Sequence, residues 1–145
     1  MNRDDLIRAA RGWIGTRWQH HGRTRAGVDC VGLLIALARD CRLVDEERLD
    51  RIEKSTAGYS RYPSGDTLKR ALDEVLCRTS VGEARAGDVA LIRMRGELCH
   101  VGLLADHPDG GMSLIHSVAM SPRRVVEQRM LSGRIVAAYS MPGVD

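Results

Sequence analysis

Phenylalanine is absent from this 145-residue chain, and two Trp and three Tyr keep aromatics at 3%. Leu, Ile, Val and Met must therefore fill any core. The arginines are spread along the chain with little aromatic interleaving, which excludes a nucleic-acid-binding footprint. Long apolar runs are lacking too. The longest, residues 30–38, is too short to span a bilayer, so no membrane span is expected. The opening MNRDDLIRAARG lacks the apolar stretch of a signal peptide, so the chain is expected to be made in the cytoplasm with no export route of its own. The four Cys form no CxxC pair, and a disulfide framework is not expected.

What is present is ordinary for a globular protein. Hydrophobic residues make up 43% and charged residues 28%, with a mild net charge of +3, so the chain is neither disordered nor strongly polarised. The length suits one domain over residues 1–145, without repeat or linker.

Helical periodicity comes first along the chain. Leu6, Ile7, Ala10, Trp13 and Ile14 give an amphipathic helix over 3–14. Residues 16–29 have no period and read as a loop. Residues 30–39 are apolar nearly all round, which predicts a central buried helix capped by Asp29. Residues 40–65 are polar and irregular, with room for a short helix. A further helix is predicted over 66–76 with Asp66 as its cap. After Gly82 the period becomes that of strands, at 88–94, 98–104, 112–118, 123–128 and 134–141, with turns at 95–97, 105–111, 119–122 and 132–133. Helices followed by strands predict an α+β fold, with N-terminal helices packed on a C-terminal antiparallel meander of about five strands.

Three residues stand out chemically. Cys30 opens the buried helix, where the positive end of the helix favours a thiolate. His100 in "ELCHVGLL" and His116 in "SLIHSVA" lie on adjacent predicted strands. A hairpin with Leu104 opposite Met112 would place the two His directly opposite, Cβ atoms about 4.5–5.5 Å apart. A thiol needs a base, and the base needs a group to hold its tautomer, so Cys30, His100 and His116 suit nucleophilic catalysis without a cofactor. The backbone N–H of Cys30 is a candidate oxyanion donor. On this reading Cys30 is the most reactive thiol. Cys41, Cys77 and Cys99 read as packing residues, with Cys99 on the strand face away from His100. His107 reads as a turn residue, and Arg123 and Arg124 as a solvated strand edge. Zinc held by Cys30, His100 and His116 is the alternative, but local ligand pairing is missing, so no metal is expected.

The segments "GTRWQHHGRTRAGVDCVGLL", "RAGDVALI", "CHVGLL" and "SLIHS" resemble, in order and spacing, the motifs of the NlpC/P60 family of papain-like cysteine peptidases. The resemblance runs from about residue 13 to 142 and implies the papain-like NlpC/P60 fold. It also implies Cys30 as nucleophile, His100 as general base and His116 as the orienting residue. The substrate it implies is the peptidoglycan stem peptide, often cut between D-glutamate and diaminopimelate. The family's usual oxyanion Tyr, in a G-x-P-Y segment, is matched here by Trp18 after Arg17, with His20 a further candidate donor. "WIGTRWQH…DCVGL" and the ending "RRVVEQRMLSGRIVAAYSMPG" are similar to the short peptidases of phage tails and gene-transfer agents. That similarity implies a virion-tail location and a tail hub or tip partner, with the irregular 40–65 segment, away from the Cys30 cleft, as the docking surface. Two other readings stand beside this one: a structural tail-tip subunit with little catalysis, and a thiol amidase or acyltransferase acting on another acyl substrate.

Overall fold

Helix α2, Cys30–Asp40, is the axis of the fold. The computed structural model describes residues 1–94, 99–130 and 132–145, and residues 31–38 of α2 are all buried. Asp29 caps the helix as expected, its Oδ1 accepting from the N–H of Gly32 at 2.8 Å. Gly32 itself is required, because a Cβ there would collide with the Gly22 carbonyl. The loop before the helix therefore folds back directly over its first turn.

Among the described residues, three further α-helices accompany α2. Helix α1, Arg3–Arg11, is capped by Asn2 and stops short of the expected end. Trp13 turns inward to 2% exposure while Ile14 lies 46% exposed, so Ile14 is not part of the apolar face. Helix α3, Glu46–Ser55, occupies the irregular segment, and α4, Gly65–Val75, is capped by Ser64 rather than Asp66. The serine sits one step ahead of the chain's first helical dihedrals, where its hydroxyl reaches the Thr67 N–H.

The loop at 16–29 contains a two-stranded ribbon, β1 (Arg23–Thr24) and β2 (Gly27–Val28). Among the described residues the main sheet has six strands: β3 (Cys77–Thr79), β4 (Val89–Arg93), β5 (Cys99–Asp106), β6 (Met112–Ser117), β7 (Val125–Arg129) and β8 (Ile135–Ser140). Their spatial order is β3-β8-β4-β5-β6-β7, with every pairing antiparallel. Two features depart from the expected five-strand meander. Strand β3 was not expected, and β8 leaves the meander to insert between β3 and β4. The expected turn at 95–97 and the strand start at Leu98 lie outside the described residues.

The β5–β6 register also differs from expectation. Asp106, not Leu104, is opposite Met112, and Leu104 pairs with Leu114. The cause is a tight turn at 107–111. His107 N–H donates to the Gly111 carbonyl, Gly110 N–H donates to that of His107, and both glycines have positive φ, so the strands run two residues further before they turn. A two-residue shift preserves strand parity, so the residues that share a face are unchanged. Val101, Leu103, Ala105 and Ile115 pack toward the helices, while Ala90, Ile92, Leu104 and Leu114 form a second cluster on the other face. Arg3–Asp88 at 2.8 Å and Arg11–Glu127 at 2.9 Å tie α1 to the sheet. Among the described residues, no helix is long and apolar enough to cross a membrane.

Candidate active site

Cys30 and His100 line one narrow cleft between the start of α2 and the sheet, with an interior volume of about 50 Å³. The two reach it from different directions. Cys30 is the first residue of α2. His100 lies on β5 beyond Leu103–Ile115, the last register pair of the β5–β6 ladder. Past that pair, Ser117 of β6 lines the cleft too, its hydroxyl donating to the Val28 carbonyl at 2.7 Å. The ladder's end therefore opens the slot into which the helix start points.

The His100 and His116 rings meet edge to face, with centroids 5.3 Å apart. The shifted register places them diagonally rather than directly opposite. Gly102 makes the approach possible, since a Cβ there would lie 2.6 Å from the Ile115 carbonyl oxygen and 2.9 Å from His116 Cβ. His116 is 1% exposed. Its Nε2 donates to Gln128 Oε1 at 2.6 Å, and its buried Nδ1 has no partner. Because Oε1 can only accept, the proton sits on Nε2, and Nδ1 presents a bare lone pair. Burial, helped by nearby His100, pushes the His116 pKa down to about 4 despite the Gln128 bond. Burial also lowers that of His100. Both rings are held in the neutral form. Among the described residues no hydrogen bond joins Cys30 to His100 or His100 to His116.

The thiol does not behave as the helix position suggests. Burial first, then the Asp29 carboxylate, push Cys30 up to about 12, while the backbone N–H groups of Val101, Val31 and Cys30 pull the other way. The helix terminus that should favour a thiolate is already engaged by its cap. Asp29 is 3% exposed and accepts from four donors: the N–H groups of Gly32 and His21, the Tyr59 hydroxyl at 2.5 Å and Arg23 at 3.3 Å. The resting pair is therefore thiol and neutral imidazole, not thiolate and imidazolium.

Of the two candidate oxyanion donors, Trp18 lines the cleft and His20 does not. His20 stacks on His21 with centroids 3.8 Å apart and meets Tyr59 edge-on at 5.9 Å. Its Nδ1 is buried without a partner, and burial lowers its pKa. Tyr59, Arg61, Tyr62 and Pro63 also line the cleft. They come from the irregular 40–65 segment, which was expected to lie away from it. No periodicity marked these residues; only the Tyr-rich cluster YSRYP gave a signal. Cys99 packs against Gly65 as expected and reaches the cleft wall as well. His107 sits in the turn as read. Arg124 is exposed at the strand edge and bridges Arg17.

A much larger concavity, about 580 Å³, lies on the other sheet face between Met94, Met112 and Met130, with His116 and Gln128 in its wall. It does not contain Cys30. Among the described residues no three His, Cys, Asp or Glu side chains are grouped to hold a metal ion.

No family model and no curated protein matches this sequence. Solved structures do. The crystal structure of the NlpC/P60 domain of the peptidoglycan hydrolase SagA is 20% identical and superposes with a TM-score of 0.64 over 97% of this chain and 100% of that one. A Bacillus cereus NlpC/P60 family protein is 16% identical, also with a TM-score of 0.64, over 98% of this chain and 41% of that one. A buried helix opened by Cys30 and packed on an antiparallel sheet that carries His100 and His116 is, in this chain, the NlpC/P60 fold.

Proposed function

We propose that this protein is a cysteine peptidase that hydrolyses peptide bonds in bacterial peptidoglycan stems. The observation that carries the reading is the meeting in one cleft of Cys30, at the head of a buried helix, and His100, whose ring touches His116 at 5.3 Å. The order of the four sequence motifs and the peptidoglycan hydrolase among its structural neighbours support the substrate class.

On this reading, substrate binding brings the scissile carbonyl to the Cys30 sulfur. His100 takes the thiol proton as the S–C bond forms, and the oxyanion meets the backbone N–H of Cys30 at the helix start. The proton passes to the leaving amine as the C–N bond breaks. Water, activated by His100, then opens the thioester. His116 Nδ1 accepts the His100 ring N–H and stabilises the imidazolium as it forms. Trp18 lies beside the reacting centre in place of the usual Tyr.

Delivery in a phage tail, with a tail hub or tip protein as partner, is a further part of the proposal. It rests on the resemblance of residues 13–33 and 123–143 to tail-encoded peptidases. A second reading, a structural tail subunit on this fold, draws on the high resting pKa of Cys30 and its missing hydrogen bond to His100. Purified protein incubated with peptidoglycan, beside Cys30→Ala, decides between them. Fragments released only by the wild type, with masses of free amine and carboxylate ends, support the peptidase. Transfer products indicate an acyltransferase, and no release indicates the structural subunit. Mass spectrometry of purified particles tests the delivery.

A further inference from the structure

Three side chains from distant parts of the chain converge on one ring: Trp18 and Arg61 line the cleft, and Arg123 reaches Trp18 from beside it. Trp18 belongs to the segment before β1, Arg61 to the α3–α4 loop and Arg123 to the β6–β7 loop. The Arg61 guanidinium carbon lies 4.8 Å from the Trp18 ring centre and that of Arg123 lies 5.8 Å from it. Both are within the range of a cation–π contact. Stacking uses the flat face of a guanidinium and leaves its in-plane N–H groups free. Among the described residues, neither Arg61 nor Arg123 donates a side-chain hydrogen bond or forms an ion pair. Arg3, Arg11, Arg23, Arg39 and Arg78 behave differently, each meeting a carboxylate.

The backbone holds this arrangement. Arg123 has a φ of +59°, a left-handed conformation costly for a side chain of this size. Its carbonyl accepts from Trp18 N–H at 2.8 Å and its own N–H donates to the Met120 carbonyl at 2.7 Å. Among the described residues, the one carboxylate lining the cleft is Asp29, which is buried and fully engaged. Among the described residues the cleft mouth therefore shows oriented positive charge from Arg61 and Arg123. Planar guanidiniums with free in-plane donors match the geometry of a carboxylate.

We propose that Arg61 and Arg123, seated on the Trp18 ring, form a carboxylate-binding subsite. The enzyme would then select peptides with a free acid close to the scissile amide over peptides in which that acid is amidated. This rests on the peptidase reading and names the selectivity of the same cleft.

The test uses a synthetic stem peptide containing D-glutamate joined to diaminopimelate, and the same peptide with the glutamate's free carboxylate made a carboxamide. Wild type should cleave the acid form with kcat/KM about tenfold higher, the gain of one charge-assisted pair, and the preference should shrink as salt rises. Arg61→Gln and Arg123→Gln should each raise KM for the acid peptide by a larger factor than for the amide peptide. Arg61→Lys should restore only part of the preference. Equal rates for both peptides in the wild type, or equal losses on both in the variants, overturn the proposal. If wild type cleaves neither, the peptidase reading fails separately. Calorimetric binding of both peptides to Cys30→Ala then decides the subsite: tighter binding of the acid form supports it, and equal or absent binding overturns it.

Discussion

His116 Nε2 donates to Gln128 Oε1 across 2.6 Å, and this bond fixes which nitrogen of His116 is bare. Gln128 touches neither Cys30 nor the cleft, so it acts as a positioning residue. Gln128→Leu should leave the buried Nε2–H unpaired and cost about 1–3 kcal/mol of stability in denaturant unfolding. Gln128→Glu keeps the acceptor but places a carboxylate on the ring, so it should raise the His116 pKa and favour imidazolium. Nδ1 then carries a proton and cannot accept from His100. The expected result is a fall in kcat with little change in KM, steepest at low pH. An unchanged pH profile in Gln128→Glu counts against the role.

Burial, and after it the Asp29 carboxylate, explain why Cys30 should be sluggish at rest. Near neutral pH, iodoacetamide should label exposed Cys77 well before Cys30, reversing the order that the helix position alone suggests. Asn is as good a cap as Asp, so Asp29→Asn keeps α2 while removing the charge beside the thiol. Cys30 should then alkylate faster. Peptide mapping by mass spectrometry at short times reads both outcomes, and early labelling of wild-type Cys30 would contradict the assignment of a protonated resting thiol.

Stability should depend on pH in a direction set by the buried imidazoles. His116 titrates near 4 in the folded state and near 6.5 when unfolded, so the unfolded chain takes up its proton first as pH falls. Stability is full above about 6.5, declines between about 6.5 and 4, and this group's contribution levels off below that. The loss is up to about 3 kcal/mol. His100, also lowered by burial, adds in the same direction. Unfolding midpoints across this range should show the slope, and His116→Gln should flatten it. On the proposed mechanism His100 acts as a neutral base, so activity should persist on the acid side of 6.5.

The Asp29–Cys30 helix start was legible because a cap residue and an all-apolar run are local signals that tertiary packing reinforces. The shared face of His100 and His116 was legible for a different reason. Parity survives a two-residue register shift, so the wrong turn length at 107–111 still gave the right face. The position of β8 between β3 and β4 was not legible, since it depends on pairing between distant segments. Tyr59 and Arg61 sit in a loop without period, and only the folded chain shows that the loop closes over Trp18. Gln128 carried no signal because an alternating strand gives every second polar residue the same appearance.

Gly102 gives the sharpest test of how the histidines are placed. It sits between His100 and Leu104 on the same strand face, where a Cβ would come within 2.6 Å of the Ile115 carbonyl oxygen and 2.9 Å of both His116 Cβ and Leu114 Cγ. Two of these neighbours are fixed by the backbone of β6, so the strands must separate to make room. Gly102→Ala should therefore cost about 1–3 kcal/mol, as overpacking does in other cores. It should also widen the gap between the two rings and weaken their contact, so kcat should fall while binding of substrate to the cleft changes little. Gly82→Ala, where the nearest contact is an ordinary 3.8 Å, serves as the control and should leave both stability and kcat unchanged. If Gly102→Ala loses stability yet retains full kcat, the close approach of His100 and His116 matters to the fold alone, and the general base works without a second histidine behind it.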